Sequence, residues 1–318
     1  MKKISIVTFC YNEEGNVENL AREIKNCFAQ LKDRYEYEHI FIDNASKDRT
    51  VEIVKDLASR DPKIKLIVNN RNFGHIRSPY YGLLQSHGDA SILMASDLQD
   101  PPTLIPAFLK NWEEGFKVVK GVKEQSEETA AMFFIRKLYY SLITKISDIE
   151  LTKNFTGFGL YDKSVVDLLR QIRDPYPYFR GLIADLGFPS AVVVFRQPRR
   201  KRGISANNFY TLYDMAMLGI TTHSKVPLRI ATFLGFVMSA ISALVALTYL
   251  VAKFFLWDFM PFGTAPLLIG MFFFGSLQLL FIGLIGEYVG FIYTQILNRP
   301  IVVEKERFNF EPESPQKS

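Results

Sequence analysis

Short apolar runs alternate with stretches of helical spacing through the first third of the chain. Runs at 4–9, 39–42, 64–68 and 91–95 predict strands, and each is followed by a predicted helix, over 17–31, 50–58, 76–85 and 103–114. Four successive strand-then-helix units predict an α/β domain built on a mostly parallel sheet with helices on both faces. In such a sheet, ligands gather at the carboxyl ends of the strands. Three of those ends carry polar clusters: Tyr11-Asn12-Glu13-Glu14, Asp43-Asn44-Ala45-Ser46 and Asp97-Leu98-Gln99-Asp100.

The pattern changes after residue 225. Residues 230–252 and 266–286 contain no charged side chain, and each run approaches the roughly 20 residues a helix needs to cross a bilayer. Two transmembrane helices are expected, forming a hairpin over 229–297; the alternative is a buried helical hairpin in a soluble protein. Lys225 and Arg229 precede the first run and Arg299, Lys305 and Arg307 follow the second, whereas the connection carries only Lys253 and Asp258. This bias places both flanks on the cytoplasmic side. The apolar run before Tyr11, Asn12 and Glu13 is too short for a secretory signal. The expected organisation is therefore a cytoplasmic domain over 1–225, a multi-pass anchor in the inner cell membrane, and a cytoplasmic tail over 298–318.

Composition adds less. The 48% hydrophobic content has its address in the hairpin, and the net charge of +5 is modest. The cations are clustered, however: Arg196, Arg199, Arg200, Lys201 and Arg202 lie shortly before the first apolar run. Such a run suits nucleic acid in general, but beside a bilayer lipid headgroups or a phosphate substrate fit it better. Residues 132–146 place Ile135, Leu138, Tyr139, Leu142 and Ile146 on one helical stripe with Arg136, Lys137 and Lys145 off it. An amphipathic helix over about 130–148 can lie in the membrane interface or pack on the sheet; a second candidate covers about 207–222. Cys10 and Cys27 form neither a metal pattern nor a disulfide framework. Gly275, Gly283, Gly286 and Gly290 suit close helix contacts, within the hairpin or between subunits of a homo-oligomer.

Asp97 and Gln99, two apart after a predicted strand, suit a hard divalent cation set against a diphosphate; they equally suit a helix N-cap before Pro101 and Pro102. The ordered set settles more than any one member. Tyr11-Asn12-Glu13-Glu14, the stretch from Asp43 to Thr50, Arg71-Asn72-Phe73-Gly74, Asp97-Leu98-Gln99-Asp100-Pro101-Pro102, Arg180-Gly181-Leu182, Arg200 to Ser205 and Pro227-Leu228-Arg229 occur in this order. With the paired apolar helices that follow, the chain resembles the family 2 GT-A glycosyltransferases, in the polyprenyl-phosphate group of dolichyl-phosphate mannose synthases and bactoprenol glucosyltransferases.

The resemblance implies a Rossmann-like GT-A domain and a nucleotide-sugar donor bound by Phe9, Tyr11, Glu13, Asp43, Arg71 and Asp97. It also implies Mg²⁺ or Mn²⁺ held by Asp97 and Gln99. The implied reaction is inverting transfer of a hexose to undecaprenyl or another polyprenyl phosphate. UDP-glucose is the first choice of donor, with GDP-mannose or a modified arabinose as alternatives. A phosphate acceptor is already ionised and needs no general base, but it needs cations; Arg136 and Arg200 are assigned to it, supported by Lys137, Arg202 and Ser205. Asp97, Arg136 and Arg200 are thus the expected catalytic set. The chain departs from the family pattern at Phe9, where Pro is frequent, at Ala95, where the first carboxylate of an Asp-x-Asp pair stands, and at Ala206, where Lys is frequent. Two rivals are a processive polysaccharide synthase, whose Gln-x-x-Arg-Trp element is absent from this chain, and a catalytically silent membrane adaptor.

Overall fold

The computed structural model of the chain describes residues 1–124, 151–198, 217–219, 221–222, 224–255 and 264–310. The chain divides into two compact units, one holding a sheet and its helices and one holding two long helices.

The predicted strand–helix alternation forms as expected. In chain order the first unit contains β1 (Lys2–Cys10), α1 (Val17–Ala29), β2 (Tyr35–Asp43), α2 (Thr50–Arg60), β3 (Ile64–Asn69), α3 (Gly74–Leu84) and β4 (Ala90–Ala95). A 3₁₀ turn (Pro102–Leu104) then leads into α4 (Ile105–Glu113). Among the described residues, six further elements of this unit lie outside those expected: β5 (Val118–Lys123), β6 (Phe155–Asp162), α5 (Lys163–Gln171), α6 (Phe179–Asp185), β7 (Ser190–Phe195) and β8 (Glu304–Phe308).

The sheet order is β7-β5-β6-β4-β1-β2-β3-β8. β1 pairs in parallel with β2 and β4, and β2 with β3. The periphery differs from the mostly parallel expectation, because β6 joins β4 and β5 antiparallel and β8 joins β3 antiparallel. β6 and β8 lie outside the four successive strand-then-helix units, the pattern that dictates parallel pairing. β8 also corrects the assignment of residues 298–318 to a tail. Its register, Leu66↔Phe308 to Asn69↔Glu304, makes it the edge strand. Side chains hold it there: Tyr81 donates to Glu304 at 2.7 Å, Lys55 pairs with Glu306 at 2.7 Å, and Asn309 Nδ2 donates to the carbonyls of Ala58 and Ile64.

Helices cover both faces. On one face α1 buries Val17, Leu20, Ala21, Ile24 and Phe28, one stripe at helical spacing, and packs with α4 over Ile4, Ile6, Ile92 and Met94. On the other, α3, α5 and α6 bury Val7, Leu93 and Tyr161. α3 lies close because Gly82 faces the sheet; a Cβ there would stand 2.8 Å from Ile42 Cγ2.

Two ionisable groups are locked inside this sheet. Glu38, on β2, accepts from Ser5 Oγ at 2.6 Å and pairs with Lys3 at 2.7 Å and Lys65 at 2.8 Å. Burial alone would raise its carboxyl, but these partners hold it down to about 2. His39 is fully buried, hydrogen-bonded to Thr8 Oγ1 at 2.9 Å and packed on Phe41, and burial pushes its imidazole down to about 3.

The second unit contains α7 (Val226–Phe255) and α8 (Thr264–Ile296). Gly270–Ile296 is long and apolar enough to cross a membrane, whereas the apolar stretch in α7 is the shorter Val226–Ser242. Both helices expose large apolar side chains, among them Phe233, Phe236, Leu244, Phe272, Leu279 and Leu280. Tyr288 donates to the carbonyl of Ser224 at 2.8 Å within the unit.

Stability should therefore fall as pH drops. Between pH 6.5 and about 3 the unfolded chain binds a proton that native His39 refuses, costing up to about 1.4 kcal/mol per pH unit. Below pH 4.5 the unfolded form of Glu38 protonates while the native carboxylate stays charged, which adds to the loss until about pH 2. Thermal unfolding midpoints of His39→Gln should show a flatter slope from pH 6.5 to 4.5 than wild type, and Glu38→Gln should lower the midpoint at pH 7, where the ion pairs are intact.

Candidate active site

β1 lies between β2 and β4, and its two flanking connections leave for opposite faces: α1 covers one and α3 the other. The loops following β1 and β4 lead into α1 and α4, which cover the same face, and they stand side by side at the carboxyl edge, the position where open α/β sheets bind ligands. All three predicted polar clusters stand at this edge.

The loops after β1 and β2 are laced together. Asn12 donates its backbone N–H to Ser46 Oγ at 2.9 Å and accepts from Lys47 N at 2.8 Å; Glu13 N donates to Thr50 Oγ1 at 2.8 Å and Glu14 N to Asp48 Oδ2 at 3.1 Å. Asp43, fully buried at the end of β2, accepts from Ser46 N at 2.9 Å and Ser46 Oγ at 2.5 Å, and Cys10 Sγ lies 3.7 Å from it. Burial pushes its carboxyl above the usual range, and the Ser46 bonds partly offset this. Tyr11 is 40% exposed beside this lacing, and Glu13 accepts from Asn16 Nδ2 at 2.5 Å. Phe9 is half-buried and packs towards the α3 face of β1, at the base of the site.

A second network fixes the loop after β3. Asn44 Oδ1 accepts from Phe73 N at 2.8 Å and Asn69 Nδ2 at 3.1 Å, while Asn44 Nδ2 donates to Asn72 Oδ1 at 2.9 Å and the Gly74 carbonyl at 3.1 Å. Arg71 lies on this loop with its guanidinium 4.0 Å from the centre of the Phe73 ring, exposed above the network. Asn44 stood inside a motif legible in the sequence; its role as the knot between two loops did not, because its partners come from residues 25 to 30 positions away.

After β4 the chain turns at Leu98, whose φ is +61°. A left-handed φ is costly for a branched side chain, and here Leu98 packs against the α1–α4 core. Asn12 (φ +55°) and Ala45 (φ +62°) share this conformation in the other two loops. Asp97 and Gln99, either side of Leu98, are half-buried, and Asp97 Oδ1 accepts from Gln99 N at 3.1 Å. Asp100 turns inward and accepts from Ala95 N at 2.9 Å; burial pushes its carboxyl up to about 6. Asp100 thus staples the turn. Lys123, at the end of β5, is half-buried and feels the charges of Asp100 and Asp97, though burial lowers its own pKa overall.

Among the described residues no group of three or more His, Cys, Asp and Glu side chains could hold a metal. Asp97 and Gln99 offer one carboxylate and one amide, a set that fits Mg²⁺-type coordination, in which one or two carboxylates are completed by substrate phosphates and water. The expected acceptor residues Arg136, Lys137, Arg200, Arg202 and Ser205, and the interface helices over 130–148 and most of 207–222, lie outside the described residues.

The model of the family described as "Glycosyl transferase family 2" matches residues 5–169, the span from β1 into α5. The chain belongs to glycosyltransferase family 2. It is an enzyme of the transferase class. Among relatives of this glycosyltransferase, the uncharacterized glycosyltransferase YkcC of Bacillus subtilis (strain 168) is 32% identical over 96% of this chain and 94% of its own length. The SfII prophage-derived bactoprenol glucosyl transferase of Shigella flexneri is 32% identical over 98% of this chain and its entire length. Among solved structures, glucosyl-3-phosphoglycerate synthase from Mycobacterium tuberculosis, in complex with Mn²⁺, UDP-glucose and phosphoglyceric acid, aligns over 70% of this chain and 78% of its own with a TM-score of 0.48 at 20% identity.

Removing the Asn44 side chain should unfix the loop carrying Arg71. Asn44→Ala leaves the Phe73 N–H and the Asn69 amide without their acceptor, at a cost of roughly 2–4 kcal/mol. The checks are a lowered unfolding midpoint and faster amide exchange over residues 69–74, with weaker donor binding following from the mobile Arg71.

Proposed function

We propose that this glycosyltransferase moves glucose from UDP-glucose to a polyprenyl phosphate, undecaprenyl phosphate in the first instance, at the cytoplasmic face of the inner membrane. The observation that carries this reading is similarity along the whole chain, hairpin included, to proteins named bactoprenol glucosyl transferases. The exposed apolar surfaces of α7 and α8 support a membrane-spanning pair, since surfaces of this kind are rarely left in water.

The mechanism follows from charge and position. Tyr11, Glu13, Asp43 and Arg71, with Phe9 beneath, hold the nucleoside over the ends of β1–β3. Asp97 and Gln99 present the diphosphate edge, and Mg²⁺ or Mn²⁺ bound there would compensate the charge that gathers on the leaving group. An oxygen of the lipid phosphate forms the bond to the anomeric carbon as the bond to the diphosphate breaks, and UDP leaves with the electron pair. In-line displacement inverts the anomeric configuration. Because the nucleophile is already ionised, no side chain removes a proton, and alignment of two anions is the main task of the site. Arg136 and Arg200, assisted by Lys137, Arg202 and Ser205, draw the acceptor phosphate into line.

Ala95 removes one carboxylate from the metal motif, and Asp100 does not replace it, being buried and bonded to Ala95 N. Metal affinity should therefore depend on the donor diphosphate. Purified protein given labelled UDP-glucose, undecaprenyl phosphate and Mg²⁺ should make glycolipid, EDTA should stop it, and Asp97→Ala should reduce the rate at least a hundredfold with its unfolding midpoint retained. Product from GDP-mannose or a modified arabinose donor but not from UDP-glucose would reassign the sugar. Arg200→Ala should raise the KM for polyprenyl phosphate about tenfold or more while leaving donor affinity within about twofold, as expected for a lost charge-assisted phosphate contact; an unchanged acceptor KM rules Arg200 out of that role.

A further inference from the structure

The Arg180-Gly181-Leu182 motif has no place in the donor, metal or acceptor sets above. α6 begins at Phe179, whose ring packs against Tyr161 at 5.2 Å and Tyr80 at 6.0 Å. The first turn of α6 is thereby fixed to the α3 face of the sheet. Arg180 is the next residue. Its Nη1 donates to the carbonyl of Phe155 at 3.4 Å, and its guanidinium lies 5.4 Å from the centre of the Tyr178 ring.

Phe155 opens β6, which runs antiparallel to β4 with Leu93 opposite Gly159. Phe155 lies four residues before Gly159, towards the carboxyl end of the antiparallel β4. On the neighbouring strand Phe155 pairs with Val122, and Lys123 N donates to the Asn154 carbonyl at 3.4 Å. Arg180 therefore stands at the carboxyl edge on the β6 side of β4, whereas Tyr11, Asp43 and Arg71 follow β1, β2 and β3 on the other side. His75, on the first turn of α3, comes close enough to Arg180 for that charge to add to burial in lowering the pKa of its imidazole. Asp174, the acid of this region, is buried and accepts from Tyr176 N at 2.9 Å.

A guanidinium oriented by a carbonyl and an aromatic ring matches phosphate oxygens in a fixed fork and loses little freedom on binding them. We propose that Arg180 forms a phosphate-oxyanion subsite at the carboxyl edge on the β6 side of β4, beyond the Asp97 turn from the nucleoside. This rests on the reading above, in which both substrates carry phosphate: a diphosphate in the donor and a monoester in the acceptor. The recognition chemistry is the same for either, so the test separates them.

Full-length Arg180→Gln and Arg180→Lys are compared with wild type by calorimetric titration with UDP and, separately, with the water-soluble monoester geranyl phosphate. Neither titration requires turnover. One ligand should lose at least tenfold in affinity in Arg180→Gln and recover part of it in Arg180→Lys, with the unfolding midpoint retained. Loss for geranyl phosphate places the acceptor in the subsite; loss for UDP places the donor diphosphate there. Affinities within twofold of wild type for both ligands overturn the proposal and leave Arg180 as an anchor for the Phe155 carbonyl. If Arg180→Gln does not fold, phenylglyoxal labelling of Arg180 in wild-type protein, read by mass spectrometry, decides instead: protection by either ligand supports the subsite, and protection by neither overturns it. A wild-type protein that transfers no glucose yet shows the Arg180 effect loses the glucose assignment and keeps the subsite.

Discussion

The position of β1 between β2 and β4 is the constraint on which the rest of this enzyme depends. Parallel pairing on both sides of β1 brings three carboxyl ends to one edge. Each loop there adopts one left-handed residue, Asn12, Ala45 or Leu98. Asn tolerates that conformation, but Ala and Leu do so at a cost, which the buried Leu98 side chain and the Asn12–Ser46–Lys47 bonds offset. Strain held by surrounding structure at a strand-end site is how a loop keeps its side chains in place before a ligand arrives.

Charge is distributed unevenly about this edge. After β2, the carboxylate of Asp43 is buried and bonded to Ser46, so it shapes the loop. At the turn, Asp97 is half-buried and accepts from Gln99 N, while Asp100 is spent on the Ala95 N–H. Beyond the turn lie Lys123 and Arg180. In the proposed reaction both substrates are anionic, and with Ala95 in place of an acidic residue the proposed metal would draw its remaining ligands from the donor diphosphate.

β8 braces the loop after β3 within the sheet unit. β8 pairs with β3, Asn70 N donates to the Val303 carbonyl at 2.9 Å, and Arg71 follows directly. Residues 302–308 thus back the loop that carries Arg71.

The sequence alone determined the strand–helix units from β1 to α4, the three polar clusters and the family. Each of these is local: a period of two or 3.6 residues, a turn motif, an ordered set of short segments. Tertiary structure alone decided the antiparallel flank. β6 carries Gly157 and Gly159 and reads weakly as a strand, yet a Cβ at Gly159 would lie 2.3 Å from the Val119 carbonyl, so only the pairing with β5 explains the glycine. β8 reads as a charged tail because Glu304, Glu306 and Arg307 find their partners, Tyr81, Lys55 and Gln85, more than 200 residues away. The same holds for Asn44, Asp100 and Arg180. Their types are visible in the chain, but their roles come from partners that only folding supplies.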